Sequence, residues 1–135
     1  MAELTVYTDG GSRGNPGKSA IGIVILDSSK KILMEYKEFI GLGTNNQAEY
    51  HAIIKALNLA KKFEGKTLHF FSDSELMIKQ LKGEYKVRNI GLSKLYEKVK
   101  LLEKDFEKIN YSNVRRTNEF IQIADSLVNN ALDNN

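Results

Sequence analysis

The sequence contains no cysteine and no tryptophan, and only one proline and two histidines among its 135 residues. Without cysteine the chain can form no disulfide framework, no thiolate nucleophile and no Cys-ligated zinc site. The longest apolar runs, such as residues 21–26, are far shorter than the ~20 residues needed to span a bilayer. These absences exclude disulfide-stabilised, thiol-dependent and helical membrane-spanning classes.

The amino-terminal residues also lack the features of a secretory leader. Residues 1–5 include no basic segment and no apolar stretch of about 7–15 residues. We therefore expect a cytoplasmic protein without a membrane partner, and the length fits a single domain over residues 1–135. The net charge of +3 leans weakly toward a polyanionic partner, although lysines also serve solubility.

Hydrophobic periodicity predicts nine elements in the order β-β-β-α-β-α-α-β-α. Thr44 and Gln47 have the spacing of a capping box at the start of the first helix. The stretch from Gly10 to Gly17, rich in glycine and containing the only proline, is expected to be a loop. The predicted strands are 4–8, 20–26, 32–40, 67–71 and 109–114. Residues 41–46 are predicted to open the first helix, which ends between 63 and 65, and the other predicted helices are 74–81, 92–106 and 119–132. Residues 82–89 are predicted to form a basic loop.

This order predicts an α/β fold. The first three strands should form an antiparallel meander, because only a short polar turn separates the second from the third. A helical crossover into residues 67–71 places that strand parallel to the first, in a mixed sheet flanked by helices.

Two acids follow strands that this topology places side by side. Asp9 ends the first strand and Asp73 ends the fourth, both at carboxyl ends, where open α/β sheets put their sites. Taken singly, an aspartate at such a position is more often a turn former or a helix cap. Acids elsewhere in the chain strengthen the interpretation of this pair as part of a functional site.

Glu49 and Asp125 are predicted to lie on the apolar faces of two helices. Glu49 precedes Ala52 and Ile53 by three and four residues, and Asp125 has similar spacing to apolar neighbours. A carboxylate facing a core is unfavourable unless its charge is neutralised. Together with the two strand-end acids, they suggest a carboxylate cluster with a shared counter-charge. Oxygen ligands favour Mg²⁺ or Mn²⁺ over Zn²⁺.

The motifs around these acids resemble those of ribonuclease H type 1, in the same order and over nearly the whole chain. They are Tyr7-Thr8-Asp9-Gly10-Gly11-Ser12, Gly14-Asn15-Pro16-Gly17, Thr44-Asn45-Asn46-Gln47-Ala48-Glu49, Ser72-Asp73-Ser74 and Ala124-Asp125-Ser126-Leu127. The resemblance implies the family's mixed five-stranded sheet and a catalytic, metal-binding set of Asp9, Glu49, Asp73 and Asp125. It also implies two Mg²⁺ ions, or Mn²⁺, that activate water to cut the RNA strand of an RNA–DNA hybrid, leaving a 5′-phosphate and a 3′-hydroxyl.

The resemblance further implies contacts with the hybrid, and we expect the protein to be a monomer. Backbone amides of a glycine-rich segment can approach sugar and phosphate closely, and polar side chains can reach 2′-hydroxyls. For Thr44, helix capping is an alternative role that is compatible with substrate contact. The implied substrate-binding residues are Gly10, Gly11, Ser12, Arg13, Gly14, Asn15, Thr44, Asn45, Asn46, Ser74, Lys86, Arg88, Asn89, Arg115 and Arg116.

Three departures from the family pattern stand out. The basic, Trp-rich protrusion of larger members is reduced to residues 82–89, which makes broader duplex tolerance, including double-stranded RNA, a further expectation. The loop before the last acid carries Arg115 and Arg116 where many members have a histidine. Glu75 stands where some members have a glutamine that reads the minor groove.

Three other interpretations were weighed. Gly17-Lys18-Ser19 is similar to the end of a nucleotide-binding P-loop, but the required first glycine falls on Ser12 and a strand follows instead of a helix. A non-catalytic nucleic-acid-binding module is disfavoured because four clustered carboxylates repel phosphates unless metals intervene. Another nuclease or transposase of the superfamily would space its acids differently and carry added domains.

Overall fold

The computed structural model describes residues 3–135; Met1 and Ala2, which belong to the predicted domain and to the segment considered for a leader, lie outside the described residues. The predicted element order is confirmed. The elements are β1 (Glu3–Gly14), β2 (Gly17–Leu26), β3 (Ile32–Gly43), α1 (Asn45–Lys62), β4 (Thr67–Ser72), α2 (Glu75–Leu81), α3 (Ile90–Glu103), β5 (Lys108–Asn113) and α4 (Glu119–Asp133).

The strands form one mixed sheet in the order β3-β2-β1-β4-β5. β1, β2 and β3 pair antiparallel, whereas β4 pairs parallel with β1 and β5 parallel with β4. The α/β class and the five-stranded sheet predicted from the sequence are therefore confirmed. The parallel pairing of β1 with β4 ends with Tyr7 opposite Phe71, whereas β1 itself continues beyond that point to Gly14.

Helices cover both faces of this sheet. On one face α1 packs apolar side chains such as Ile53 and Leu57 against Val6 and Phe70, and all four side chains are fully buried. On the other face α4 contributes Ile121 to a smaller cluster around Val24 and Leu26. Among residues 3–135, no helix combines the length and the apolar character needed to cross a bilayer.

The glycine-rich stretch is not the loop that its composition predicts. β1 continues to Gly14, and β2 begins at Gly17, so the stretch is a β-hairpin whose turn is Asn15-Pro16. Gly14 has a φ of 91°, a left-handed conformation that glycine adopts without strain. The backbone of residues 10–14 is thus held in a hydrogen-bonded ladder with β2.

The helix starts follow local capping chemistry. Thr44 caps α1 in a capping box with Gln47, as predicted, Ser74 caps α2, and Asn89 caps α3. The predicted opening of the first helix at residues 41–46 is wrong in part, because β3 extends to Gly43. At the other end of α1, Glu64 rather than Gly65 takes the left-handed conformation, with a φ of 57°.

Candidate active site

Asp9 and Asp73 lie side by side where the pairing of β1 with β4 ends. Asp73 follows β4, but β1 continues to Gly14, so the prediction that Asp9 ends the first strand is wrong. Tyr7 and Phe71 are partners in the parallel β1–β4 ladder. Asp9 follows Tyr7 by two positions, and Asp73 follows Phe71 by two positions. Because β1 and β4 run parallel in this register, the two aspartates lie next to each other at one end of the β1–β4 pairing. The expectation that the topology brings them together is confirmed.

Glu49 reaches the same edge from α1. Its Oε1 accepts the backbone N–H of Gly10 at 2.9 Å, and the residue is buried, as its place on the apolar face predicts. This contact requires the helix to lie directly on the strand. A Cβ at Gly10 would lie 2.5 Å from the carbonyl oxygen of Ala48, so glycine is the residue that permits the approach.

Asp125 reaches the cleft from α4 but is exposed, so the expectation that it faces an apolar interior is wrong. The apolar stripe of α4 runs through Ala124 and Val128, which flank it. A second glycine sets the position of this helix. A Cβ at Gly22, the β2 partner of Asp9, would lie 2.2 Å from the carbonyl oxygen of Ala124.

Three of the four acids form a compact cluster. One carboxylate oxygen from each of Asp9, Glu49 and Asp73 lies within 4.8 Å of the others. Burial, and then the charges of Asp73 and Asp125, raise the pKa of Asp9 to about 7. Burial, and then the charges of Asp9 and Asp73, also hold the pKa of Glu49 well above its usual range.

The raised pKa values of Asp9 and Glu49 reflect burial first and repulsion between the carboxylates second, which the protein's own charges do not offset. The Gly10 N–H favours the charged forms of Asp9 and Glu49 but does not outweigh burial and repulsion. A set of carboxylate oxygens at this spacing, with no nitrogen or sulfur ligand among them, fits a hard divalent cation such as Mg²⁺ or Mn²⁺.

Arg116 supplies the nearest cation from the described chain to Asp73. Its Nε lies 3.5 Å from Asp73 Oδ2, while 92% of the arginine side chain is exposed. Burial raises the pKa of Asp73, the Arg116 guanidinium opposes that rise, and the charge of Asp125 adds to it. Because the arginine is almost fully exposed, solvent screens this ion pair, which neutralises the cluster only in part.

The acids line an open cleft of about 560 Å³. Many of the sequence-predicted substrate residues line it with them: Gly10, Gly11, Ser12, Arg13, Asn45, Asn46, Ser74 and Arg116. Asn15, Thr44 and Asn89 line an adjacent smaller cavity, which Asn46 also borders. Gly14, Lys86, Arg88 and Arg115 line neither cavity.

The two cavities are joined by a hydrogen-bonded bridge between the hairpin and α1. Ser12 N donates to Asn45 Oδ1 at 2.8 Å, and Asn45 N donates to Asn15 Oδ1 at 3.1 Å. With the amide oxygens of both asparagines engaged, their side-chain N–H groups remain as donors to a ligand.

Sequence reasoning missed Gln122 and Asn129, which line the cleft from α4. Asn129 Nδ2 donates to Asp125 Oδ2 at 3.3 Å. The signal for Asn129 was available, because it follows Asp125 by four residues and such residues share a helical face.

Comparison with known proteins places this arrangement in a family. Residues 7–131 match the family model described as "Reverse transcriptase-like". The "Ribonuclease HI" of Halobacterium salinarum is 40% identical over 128 residues, covering 94% of this chain and 63% of that protein. The "Bifunctional protein Rv2228c" of Mycobacterium tuberculosis is 38% identical over 132 residues, covering 97% of this chain and 36% of that protein. The chain thus spans less than two thirds of the length of these relatives.

A solved structure gives the same result in three dimensions. The crystal structure of LC11-RNase H1 in complex with an RNA/DNA hybrid superposes with a TM-score of 0.91 at 36% identity, covering 97% of each chain.

Proposed function

The chain belongs to the type 1 ribonuclease H family, and from that premise we propose that it is an endonuclease that hydrolyses the RNA strand of RNA–DNA hybrids. The observation that carries the proposal is the cluster of Asp9, Glu49 and Asp73, whose carboxylate oxygens lie within 4.8 Å of one another in an open cleft. A buried cluster of like charges is unfavourable for folding, so it points to cation binding and catalysis.

Asp9, Glu49 and Asp73 would hold two divalent cations, Mg²⁺ or Mn²⁺, and Asp125 would complete the set from α4. Such ions supply a nucleophilic water at neutral pH and neutralise charge on the leaving oxygen, giving 5′-phosphate and 3′-hydroxyl ends. The protein's part is to fix the carboxylates. The Gly10 N–H holds Glu49, and Asn129 holds Asp125.

The hybrid would lie along the cleft and the adjacent cavity. The solved relative LC11-RNase H1 binds an RNA/DNA hybrid. Donors from the hairpin and from α1 face this groove, and we assign them to sugar and phosphate contacts. Lys86, Arg88 and Arg115 would add a salt-dependent attraction to more distant phosphates.

Double-stranded RNA is a second substrate to be tested. Only residues 82–89 join α2 and α3, so the basic protrusion of larger family members is reduced here to a short loop. A monomeric state, a cytoplasmic location and a single domain over residues 1–135 stay predictions.

A cleavage panel tests the proposal. End-labelled RNA is presented in an RNA–DNA hybrid, in double-stranded RNA and in single-stranded form, with Mg²⁺, Mn²⁺ or chelator. We expect metal-dependent cutting of the hybrid, and loss of activity by roughly 10³-fold or more in Asp73→Asn. Asp105→Asn, which removes an equal charge away from the cleft, serves as the control. Cutting by Asp73→Asn at the wild-type rate would contradict the assignment.

A further inference from the structure

Arg13 lines the cleft but is held by the end of α4. Its Nη1 lies 2.6 Å from Asp133 Oδ1, and its Nη2 donates to the carbonyl oxygen of Asn129 at 3.5 Å. Both partners belong to the last two turns of α4. Both contacts of the Arg13 guanidinium are therefore with α4 of the same chain.

Asp133 occupies a position that helix stability does not explain. It is the last residue of α4, where the helix dipole disfavours negative charge, and the last turn of α4 contains no basic residue of its own. The nearby Lys18 donates to the carbonyl oxygen of Asn135 rather than to Asp133. The contact that accounts for this carboxylate is its ion pair with Arg13 on β1.

We propose that Asp133 competes with the phosphate backbone of the duplex for Arg13, and so lowers the affinity of the cleft for nucleic acid. The inference rests on the proposed function. Carboxylate and phosphate oxygens present similar acceptors to a guanidinium, so the two are alternative partners. The exposed fractions of the Arg13 and Asp133 side chains are 48% and 63%, and exposed pairs exchange readily.

The test measures hybrid affinity without cleavage. A fluorescent RNA–DNA hybrid is titrated in Mg²⁺ with an Asp9→Asn parent and followed by anisotropy. Adding Asp133→Asn should lower the Kd roughly two- to fivefold, the range expected for an exposed ion pair. Arg13→Gln should raise it. The variant with both changes should match Arg13→Gln alone, because Asp133 then has no arginine to withhold.

A matched control separates competition from net charge. Asp105 forms an ion pair of similar exposure with Lys61, at 3.0 Å, outside the cleft. Asp105→Asn makes the same charge change and should leave the Kd within error. Equal tightening by Asp105→Asn, or unchanged or weaker binding by Asp133→Asn, would overturn the inference. A parent that binds no hybrid would instead overturn the proposed function, and this inference with it.

Discussion

Glu49 on the α1 side of the cleft is buried and accepts the backbone N–H of Gly10, whereas Asp125 on the α4 side is exposed and contacts the side chain of Asn129. Both acids sit on helices that a glycine allows to rest on the sheet. The difference lies in the partner. A backbone amide inside a strand ladder is fixed, while a surface asparagine is free to rotate. The α1 side of the site is therefore rigid, whereas the α4 side is adjustable.

The sharpest test of this comparison is to neutralise each acid in turn. Glu49→Gln should reduce hybrid cleavage roughly 10³-fold or more, because a buried ligand with a fixed partner has no substitute. Asp125→Asn should reduce it roughly 10- to 100-fold, since an exposed amide can shift and water can replace the lost oxygen. Single-turnover rates with labelled hybrid measure both. Equal losses in the two variants would remove the distinction.

A second test disrupts the close contact between α1 and β1 at Gly10. Gly10→Ala places a Cβ against the Ala48 carbonyl, at 2.5 Å, so strand and helix must separate. We expect destabilisation by about 2–3 kcal/mol and loss of most activity. Gly11→Ala is the matched control for stability, because the nearest contact of its Cβ would be an ordinary 3.7 Å. Urea unfolding and cleavage rates report the two effects, and a stable, active Gly10→Ala would contradict the close-packing argument.

The smallest expected effect is the pH dependence of the protein's stability. Because the pKa of Asp9 is raised to about 7, against about 4 in an unfolded chain, folded protein binds a proton that the unfolded chain has lost in between. Stability of the metal-free protein should therefore fall, by about 1–3 kcal/mol, as pH rises from 5 to 8. Chemical unfolding with chelator at several pH values measures this. Asp9→Asn should flatten the profile, and an unchanged slope in that variant would exclude Asp9 as the cause.

Much of the fold could be predicted because its signals are local. The strand and helix periodicities, the Thr44 capping box and the position of Asp73 directly after β4 all depend on residues close in sequence. The glycine-rich hairpin was missed because glycine and proline indicate turns, and only pairing with β2 makes residues 10–14 a strand. The burial of Asp125 was misjudged because spacing places it beside the apolar stripe of α4 but does not show how much of that face the rest of the fold covers.

By itself, the sequence determined the element order, the mixed sheet and which acids are candidates for the site, because periodicity and motif order are carried by neighbouring residues. The tertiary structure decided which acids are buried, which backbone amide holds Glu49 and which carboxylate engages Arg13. Those outcomes depend on how closely α1 and α4 rest on the sheet. Contacts between residues far apart in the chain set that distance.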